Sequence, residues 1–331
     1  MKIGIPRGIA TFEYPVLFTS FFENLGIEIV LSDKSCKEIM EDGIHYSIDE
    51  NCLASKMYMG HVKNLKDKMS LEHIDYIFIP RICSFNKTDT VCVKFYAMYD
   101  ICKNIFDVPF ITLNIDYLRG ENEFKAFLNL GRKLNKRYID IIKAYKKAKA
   151  MQNIYDVKKL EEQIIKIKSK KADDINILIV SHSYISKDKY MGVPVTKYLE
   201  NLGVNIFYAN INSSNICKKT YKKSSNNDKG YKKISDSIYW KYSKNLLNGI
   251  TEYLDYVDGI IYLSVFPCGP DSLVNELSLR KVKDVPSINI ILDEQVANAG
   301  LYTRLESFVD ILEQKNNLEE VSCGYETKTQ F

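Results

Sequence analysis

The sequence predicts an α/β protein made of two Rossmann-like or flavodoxin-like parallel-sheet domains, joined by long helices and separated by a cleft. Short apolar runs rich in β-branched residues alternate with helical patterns in both halves of the 331-residue chain. That alternation is typical of parallel strands connected by crossover helices. The stretch between the two halves is lysine-rich, helical in pattern and free of proline, which indicates connecting helices.

In the first half, strand-like runs alternate with helices from the first residues onward. The strands are KIGIP, IEIVLS, YIFIP and FITLNI, and the helix YPVLFTSFFENLG separates the first two of them. We assign residues 1–118 to an N-terminal α/β domain. Residues 119–173 are predicted to form the helical connector.

The second half, residues 174–315, repeats this pattern as a C-terminal α/β domain. The order is INILIVS, the helix VTKYLENLG, VNIFYANI, a long helix around YWKYSKNLLNGI, GIIYLSV, the helix SLVNELSLRKV, SINIILD and the helix LYTRLESFVDILEQK. LGIEIVL at 25–31 and LGVNIFY at 202–208 occupy equivalent places, which hints at a duplication. We expect a mobile loop at 218–233 and a flexible tail at 316–331.

Composition and charge exclude several classes of protein. The 46 lysines and arginines against 42 acidic residues leave a formal charge of +4, which is too balanced to indicate nucleic acid or an anionic membrane as partner. The first residues show no basic-then-apolar leader, and no apolar run nears the roughly 20 residues that span a bilayer. The sequence therefore predicts a cytoplasmic protein.

Several familiar motifs are missing from the sequence. It contains neither a P-loop nor a G-x-G-x-x-G fingerprint, so nucleotide chemistry is not expected of this chain. H-E-x-x-H and G-x-S-x-G are missing too, which weakens zinc-hydrolase and α/β-hydrolase interpretations. The eight cysteines include no C-x-x-C pair, so a zinc ribbon and a thioredoxin motif are excluded.

Three cysteines, Cys52, Cys92 and Cys268, each lie where the chain is about to enter a predicted helix. Helix N-termini lower the pKa of a thiol and favour metal ligation. Ligands bind at the carboxyl edge of open α/β sheets, so two facing halves would place Cys52 and Cys92 opposite Cys268. The three are candidate ligands of one iron-sulfur cluster. The alternative is that each is a small buried residue at a tight turn.

The other cysteines are weaker candidates. Cys83 closes a predicted strand and is the best candidate for a fourth ligand, whereas Cys102 fits an apolar helix face and is expected in the core. No role is indicated for Cys36, Cys217 or Cys323.

Polar residues near the cysteines could tune the potential of a cluster through hydrogen bonds and charge. These are Glu50, Lys56 and His61 near Cys52, and Asp271 and Ser272 after Cys268. The alternatives are helix capping for Asp271 and Ser272, and a structural role for His61, which we favour.

Two further groups lie at predicted strand ends. Asp293 and Glu294 end a strand and are followed by Arg304 and Glu306, for which we favour an arginine-carboxylate tie over acid/base chemistry. His182 and Tyr184 could contact a ligand in the cleft or serve as turn residues.

IGIPRG, ENCLASKMYMGHVKNL, YIFIPRI, YWKYSKNLL, FPCGPDSL and DEQVANAGLYTRLESFVD carry a family resemblance that runs from residue 3 to about 310. Through them the chain resembles the uncharacterised proteins related to 2-hydroxyacyl-CoA dehydratases and their activases. Some members are standalone, and others follow an ATPase module of the BadF/BcrA type. The resemblance implies a 4Fe-4S or double-cubane cluster with Cys52, Cys92 and Cys268 as ligands.

The chain departs from the pattern of that family at several places. Members commonly carry Cys-x-Pro where this chain has Cys52-Leu53-Ala54, Cys-Pro where it has Cys92-Val93, and Arg-Pro-Tyr where it has His182-Ser183-Tyr184. The cysteines are therefore kept without the prolines that stiffen their turns.

The leading functional prediction is an iron-sulfur protein that receives low-potential electrons from an ATP-dependent activase of the BadF/BcrA type and passes them to a substrate or partner. One alternative is a cluster-free binding or scaffold module that docks an activase or a small ligand. Another is a 2-hydroxyacyl-CoA dehydratase subunit acting on an acyl-CoA substrate. A homodimer is left open in each case.

Overall fold

The computed structural model describes residues 1–169, 171, 174–212, 234–283, 285–295 and 298–326, without the side chains of 298–299 and 316–326. The run at 218–233, predicted to be a mobile loop, lies outside the described residues. So do residues 327–331 of the predicted tail.

The first sheet lies in the N-terminal half and is fully parallel. Its strands are β1 (Lys2–Ile5), β2 (Glu28–Leu31), β3 (Tyr76–Phe78) and β5 (Phe110–Ile111), in the order β2-β1-β3-β5. After β3 and β5 the chain forms a second parallel pair from β4 (Arg81–Ser84) and β6 (Asn114–Asp116). The helices of this half are α1 (Ala10–Glu13), α2 (Leu17–Asn24), α3 (Lys37–His45), α4 (Leu53–Glu72) and α5 (Val93–Ile105).

Two helices, α6 (Glu123–Lys133) and α7 (Tyr138–Lys168), occupy the stretch predicted to connect the domains. The side chain of Asn122 accepts a hydrogen bond from the Lys125 N–H at 3.0 Å and so caps the start of α6. Helix α7 packs along α2 and α6, and its residues Ile141, Ala144 and Ala148 are buried in the apolar cluster beside the first sheet. The connecting helices therefore form part of the N-terminal core.

The second sheet lies in the C-terminal half and is also parallel. Its strands are β7 (Asn176–Val180), β8 (Asn205–Tyr208), β9 (Gly259–Val265) and β10 (Ser287–Leu292), in the order β10-β9-β7-β8. The helices are α8 (Ser183–Ser186), α9 (Gly192–Asn201), α10 (Lys241–Tyr253), α11 (Gly269–Lys281) and α12 (Asn298–Glu326). Helix α12 continues into the stretch that was predicted as a tail.

The two sheets have the same topology, because β2-β1-β3-β5 and β8-β7-β9-β10 place their strands in the same order along the chain. The glycines of the two equivalent Leu-Gly pairs, Gly26 and Gly203, have φ angles of 68° and 79° and end α2 and α9. The predicted α/β class with two Rossmann-like or flavodoxin-like sheets is confirmed.

The two halves meet at the carboxyl edges of their sheets. The Leu53 N–H, which opens α4, donates to the carbonyl of Phe266 after β9 at 2.9 Å. The Thr90 N–H donates to the Tyr239 carbonyl at 2.8 Å, and the Lys241 N–H donates back to the Thr90 carbonyl at 2.9 Å. The largest buried apolar cluster also includes residues from both halves. None of the described helices combines the length and the apolar character that crossing a membrane requires.

Candidate functional site

The three candidate cysteines each occupy the position immediately before a long helix. Cys52 precedes α4, Cys92 precedes α5 and Cys268 precedes α11, as the sequence pattern predicted. Each of these helices leads into a strand of its parallel sheet, so its first turn lies at the carboxyl edge of that sheet. All three thiols therefore stand at the edges where the two halves meet.

The backbone geometry at each cysteine starts the helix and fixes the side chain. The Cys52 carbonyl accepts from the Ser55 and Lys56 N–H groups at 2.8 and 3.0 Å, and the Cys52 Sγ lies 3.3 Å from Ser55 Oγ. At Cys268, both the N–H and the hydroxyl of Ser272 donate to the cysteine carbonyl, at 3.0 and 2.7 Å. Ser272 thus closes the first turn of α11, which is the capping role considered from the sequence.

Electrostatic coupling shows that the thiols share one neighbourhood centred on Cys52. Burial is the main cause that raises the pKa of both Cys92 and Cys268, and repulsion from Cys52 raises each of them further. The backbone N–H groups of Lys94 and Phe95 act against burial at Cys92. The structure therefore brings together three cysteines that are far apart in sequence.

At Cys268, a neighbouring carboxylate adds to the effect of burial. The charge of Asp271 raises the pKa of this thiol, whereas the Asp271 backbone N–H lowers it. Asp271 is itself buried, and its Oδ1 lies 2.7 Å from His182 Nε2. Burial disfavours protonated His182, but the carboxylates of Asp271 and Glu13 outweigh it and raise the His182 pKa. Asp271, in α11, therefore contacts His182, which lies just before α8.

Aromatic side chains pack together near the cysteines. The buried Tyr184 ring stacks on His182 with centroids 4.9 Å apart and meets the Phe95 ring edge-on at 5.2 Å. Burial raises the Tyr184 pKa well above its usual value, and the charges of Asp271, Cys268 and Cys52 raise it further. Of the two strand-end residues considered from the sequence, Tyr184 thus lies beside the cysteines and His182 lies behind it.

In the part of the chain that the structure describes, no group of three or more His, Cys, Asp or Glu side chains is arranged to hold a single metal ion. An iron-sulfur cluster is held by several cysteine thiolates rather than by one metal's ligand set. Cys52 interacts electrostatically with both Cys92 and Cys268, and the latter two lie near backbone N–H groups in a largely buried setting, which is the chemistry that cluster ligands have.

Cys83 and Cys102 lie in other surroundings. Burial raises the Cys83 pKa and the charge of Asp116 raises it further, which places that thiol next to Asp116 at the β4-β6 pair. Its interactions are thus with Asp116 rather than with the three helix-capping cysteines. Cys102 is fully buried with its Sγ 3.5 Å from Met59 Sδ, so the prediction of a core position is confirmed.

The arginine-carboxylate tie predicted near residue 294 is wrong. Glu294 instead forms an ion pair with Lys56, whose side chain is 4% exposed. Arg304 donates to the carbonyl of Asn289 at 2.8 Å, and Glu306 accepts a hydrogen bond from Tyr198. The reason is that Lys56, one turn after Cys52, is buried against the other half, and a buried ammonium requires a carboxylate.

The contacts of His61 and Glu50 are with residues other than the three cysteines, so they do not support a role in tuning the potential of a cluster. Ser32 and Ser35 contact the two ring nitrogens of buried His61 at 2.9 and 3.0 Å, about 13 Å along α4 from Cys52. Burial lowers the pKa of His61 to about 3, so it is neutral and structural, as favoured from the sequence. The Glu50 side chain is exposed, and its backbone carbonyl accepts from Lys94.

Sequence reasoning missed a second polar region next to this site. Glu13 is partly buried, and its Oε1 accepts the Ser183 N–H at 3.1 Å, so it links α1 to α8 across the two halves. Burial raises the Glu13 pKa. The only signal was an acidic residue ending the first helix after β1, which is too common to single out.

Comparison with solved structures gives only distant similarity. The nickel-bound substrate-binding protein FpvC from P. aeruginosa is 13% identical, with 97% of each chain covered and a TM-score of 0.25. A cadmium-bound periplasmic metal binding protein from Candidatus Liberibacter asiaticus is 10% identical, with 95% of this chain and 99% of that chain covered and a TM-score of 0.25. These values carry no argument about fold or function. Among curated proteins, no match was found.

A family match covers most of the chain. Residues 2–211 match the family described as CoA enzyme activase uncharacterised domain (DUF2229). The matched segment contains Cys52, Cys92 and His182, and it ends before Cys268. The chain therefore belongs to the CoA enzyme activase uncharacterised domain family.

Proposed function

We propose that this protein is an iron-sulfur protein whose cluster is held by Cys52, Cys92 and Cys268. It would receive low-potential electrons from an ATP-dependent activase and pass them to a substrate or partner protein. One observation carries the proposal: three cysteines on three different helix N-termini converge around Cys52. Membership of an activase-related family supports the choice of electron donor.

When bound, a cubane-type cluster supplies one-electron transfer at potentials that reach roughly −400 mV and below. The residues of this chain supply the setting. The thiols of Cys92 and Cys268 have raised pKa values, so they must release protons before they can act as thiolate ligands. The N–H groups of Lys94, Phe95 and Asp271 lie where they stabilise the resulting sulfur charge.

Two further features belong to this setting. The Tyr184 and Phe95 rings pack against each other, and buried Tyr184 interacts electrostatically with Cys52 and Cys268. The buried Lys56 ammonium lies one turn after Cys52 and is paired with Glu294, so the pair brings no net charge to this place.

The test is anaerobic reconstitution followed by iron and acid-labile sulfide analysis of the wild type, Cys268→Ser and Cys102→Ser. We expect about four irons per chain in the wild type, as in a cubane. Cys268→Ser should lose most of this iron, whereas Cys102→Ser, which alters a core thiol, should retain it. An iron-free wild type, or equal iron in both variants, would rule out the proposed ligand set.

A second candidate, a cluster-free binding module, is favoured by one observation. The two halves line a cleft of about 210 Å³, and none of its lining residues that the structure describes is a cysteine. That module would be colourless, and its cysteine substitutions would change only stability. A dehydratase subunit would in addition require turnover of an acyl-CoA, which the same reconstituted protein can be assayed for.

A further inference from the structure

The cleft of about 210 Å³ lies where the α1-α2 turn, α7, α8 and α10 meet. Residues from both halves form its walls, and none of the three proposed cluster ligands is among them. Four lysines line it: Lys149, Lys159, Lys187 and Lys241. Small-molecule sites occur preferentially in concave places between the parts of a protein, and a few polar or charged groups give them specificity.

Lys241 is the most unusual of these lysines. It opens α10, is partly buried, and its ammonium lies 5.1 Å from the centre of the Phe85 ring. Within the described residues, no carboxylate oxygen lies within 4.0 Å of this ammonium. Partial burial of an ammonium without a carboxylate partner costs hydration free energy, which a bound anion would offset.

The neighbouring cations already have partners of their own. Lys149 Nζ lies 2.7 Å from a carboxylate oxygen of Glu123, and Lys244 Nζ lies 2.5 Å from one of Asp89. Glu123 and Asp89 thus form ion pairs with other lysines and cannot fully neutralise Lys241.

Lys241 faces charges of both signs. Burial is the main cause that lowers its pKa; among the charges, attraction by Asp89 opposes the shift, and repulsion from Lys149 and Lys244 adds to it. Glu13 also opposes the shift. An anion bound between Lys149 and Lys241 would replace lost hydration and remove this repulsion.

The opposite wall of the cleft contains carboxyl groups whose charge burial disfavours. Burial raises the pKa of Glu13 and of Asp156, while the positive charge of Lys187 lowers both. Lys187 lies 5.9 Å from the centre of the Tyr155 ring, and among the described residues it forms no ion pair within 4.0 Å. This wall therefore adds a further ammonium to the cleft beside two partly buried carboxyl groups.

We propose that this cleft binds a small anionic metabolite, and that Lys241 and Lys149 hold its phosphate or carboxylate group. The proposal stands apart from the cluster, because no residue used here is a cysteine ligand. It can therefore be tested on protein without iron, and its failure would leave the proposed ligand set untouched.

The test is isothermal titration calorimetry of the full chain with inorganic phosphate and, separately, with succinate. We expect at least one of the two probes to saturate one site per chain, and the probe that binds identifies the anionic group. Lys241→Gln should weaken binding at least tenfold. Lys103→Gln, which changes an exposed lysine on α5, should leave affinity within about twofold.

Circular dichroism and thermal melting establish that each variant is folded. If Lys241→Gln does not fold, Lys149→Gln replaces it under the same tenfold criterion. The proposal is overturned if neither probe saturates the wild type, or if the lysine variant in the cleft binds as tightly as Lys103→Gln.

Discussion

The two halves share one topology but use equivalent helices differently. Helix α5, which leads into β5, and helix α11, which leads into β10, are both preceded by cysteine, Cys92 and Cys268. Helix α4, which leads into β3, is preceded by Cys52, whereas its counterpart α10, which leads into β9, is preceded by Trp240. One pair of positions is thus alike, and the other pair differs.

The difference places two kinds of chemistry next to each other. The start of α4 presents a thiol and, one turn later, a buried lysine paired with Glu294. The start of α10 presents Lys241, which borders the cleft without such a pair. Equivalent places in two sheets of the same topology therefore provide a candidate ligand in one half and a candidate anion site in the other.

The same two helices are also alike in needing a glycine at a close contact. A Cβ at Gly60 in α4 would lie 1.8 Å from the Ile39 carbonyl oxygen, and a Cβ at Gly249 in α10 would lie 1.8 Å from that of Ala209. Because backbone atoms cannot easily move away, Gly60→Ala and Gly249→Ala should each lower the free energy of unfolding by about 3 kcal/mol. Urea denaturation measures this effect.

A matched control is available in α12. A Cβ at Gly300 meets no atom within 4 Å, so Gly300→Ala should raise stability by up to about 1 kcal/mol, because alanine favours the helix. Equal losses at Gly60 and Gly249 would support equivalent packing of α4 and α10. A loss confined to one of them would show that the two halves pack differently at this contact.

The pattern of the sequence was sufficient to predict the sheets and the helix starts. Strand periodicity is local, and the alternation of strand and helix limits the topology to a few arrangements, so the parallel sheets follow from it. The positions of Cys52, Cys92 and Cys268 before helices were also predicted, since turn residues and helix patterns are read within a few residues.

The pairings between the halves could not be predicted. Lys56 and Glu294 are 238 residues apart in sequence, and nothing near either residue indicates the other. Glu294 stands beside Asp293, Arg304 and Glu306, so local charge favoured an arginine partner. Only the packing of α4 against the loop after β10 makes Lys56 the buried cation that requires Glu294.

Removing that carboxylate tests the contact between the halves. Glu294→Gln leaves the Lys56 ammonium buried without a counter-charge, and we expect a loss of about 2 kcal/mol in unfolding free energy. The loss stays below that of a fully buried pair because Glu294 is 32% exposed. The double variant Lys56→Met with Glu294→Gln should recover much of the loss in urea denaturation. A double variant as unstable as the single one would show that the charge pair is not the cause.

The smallest effect on stability is expected from the two buried histidines, whose pKa values are shifted in opposite directions. The folded-state pKa of His61 is lowered to about 3, so its contribution to stability is present above pH 6.5 and is lost as the pH falls toward 3. The His182 pKa is raised, so its contribution is present below pH 6.5 and is lost as the pH rises through the raised value.

Each histidine can change stability by at most about 1.4 kcal/mol per pH unit, because one proton is involved. We expect His61→Gln to flatten the fall in urea midpoint on the acid side. His182→Gln should cost more stability at pH 6 than at pH 8, since glutamine cannot provide the positive charge that Asp271 and Glu13 favour. If the urea midpoints of the wild type and both variants change with pH in parallel, neither histidine is coupled to folding. The two halves then do not differ in the pH dependence of their stability.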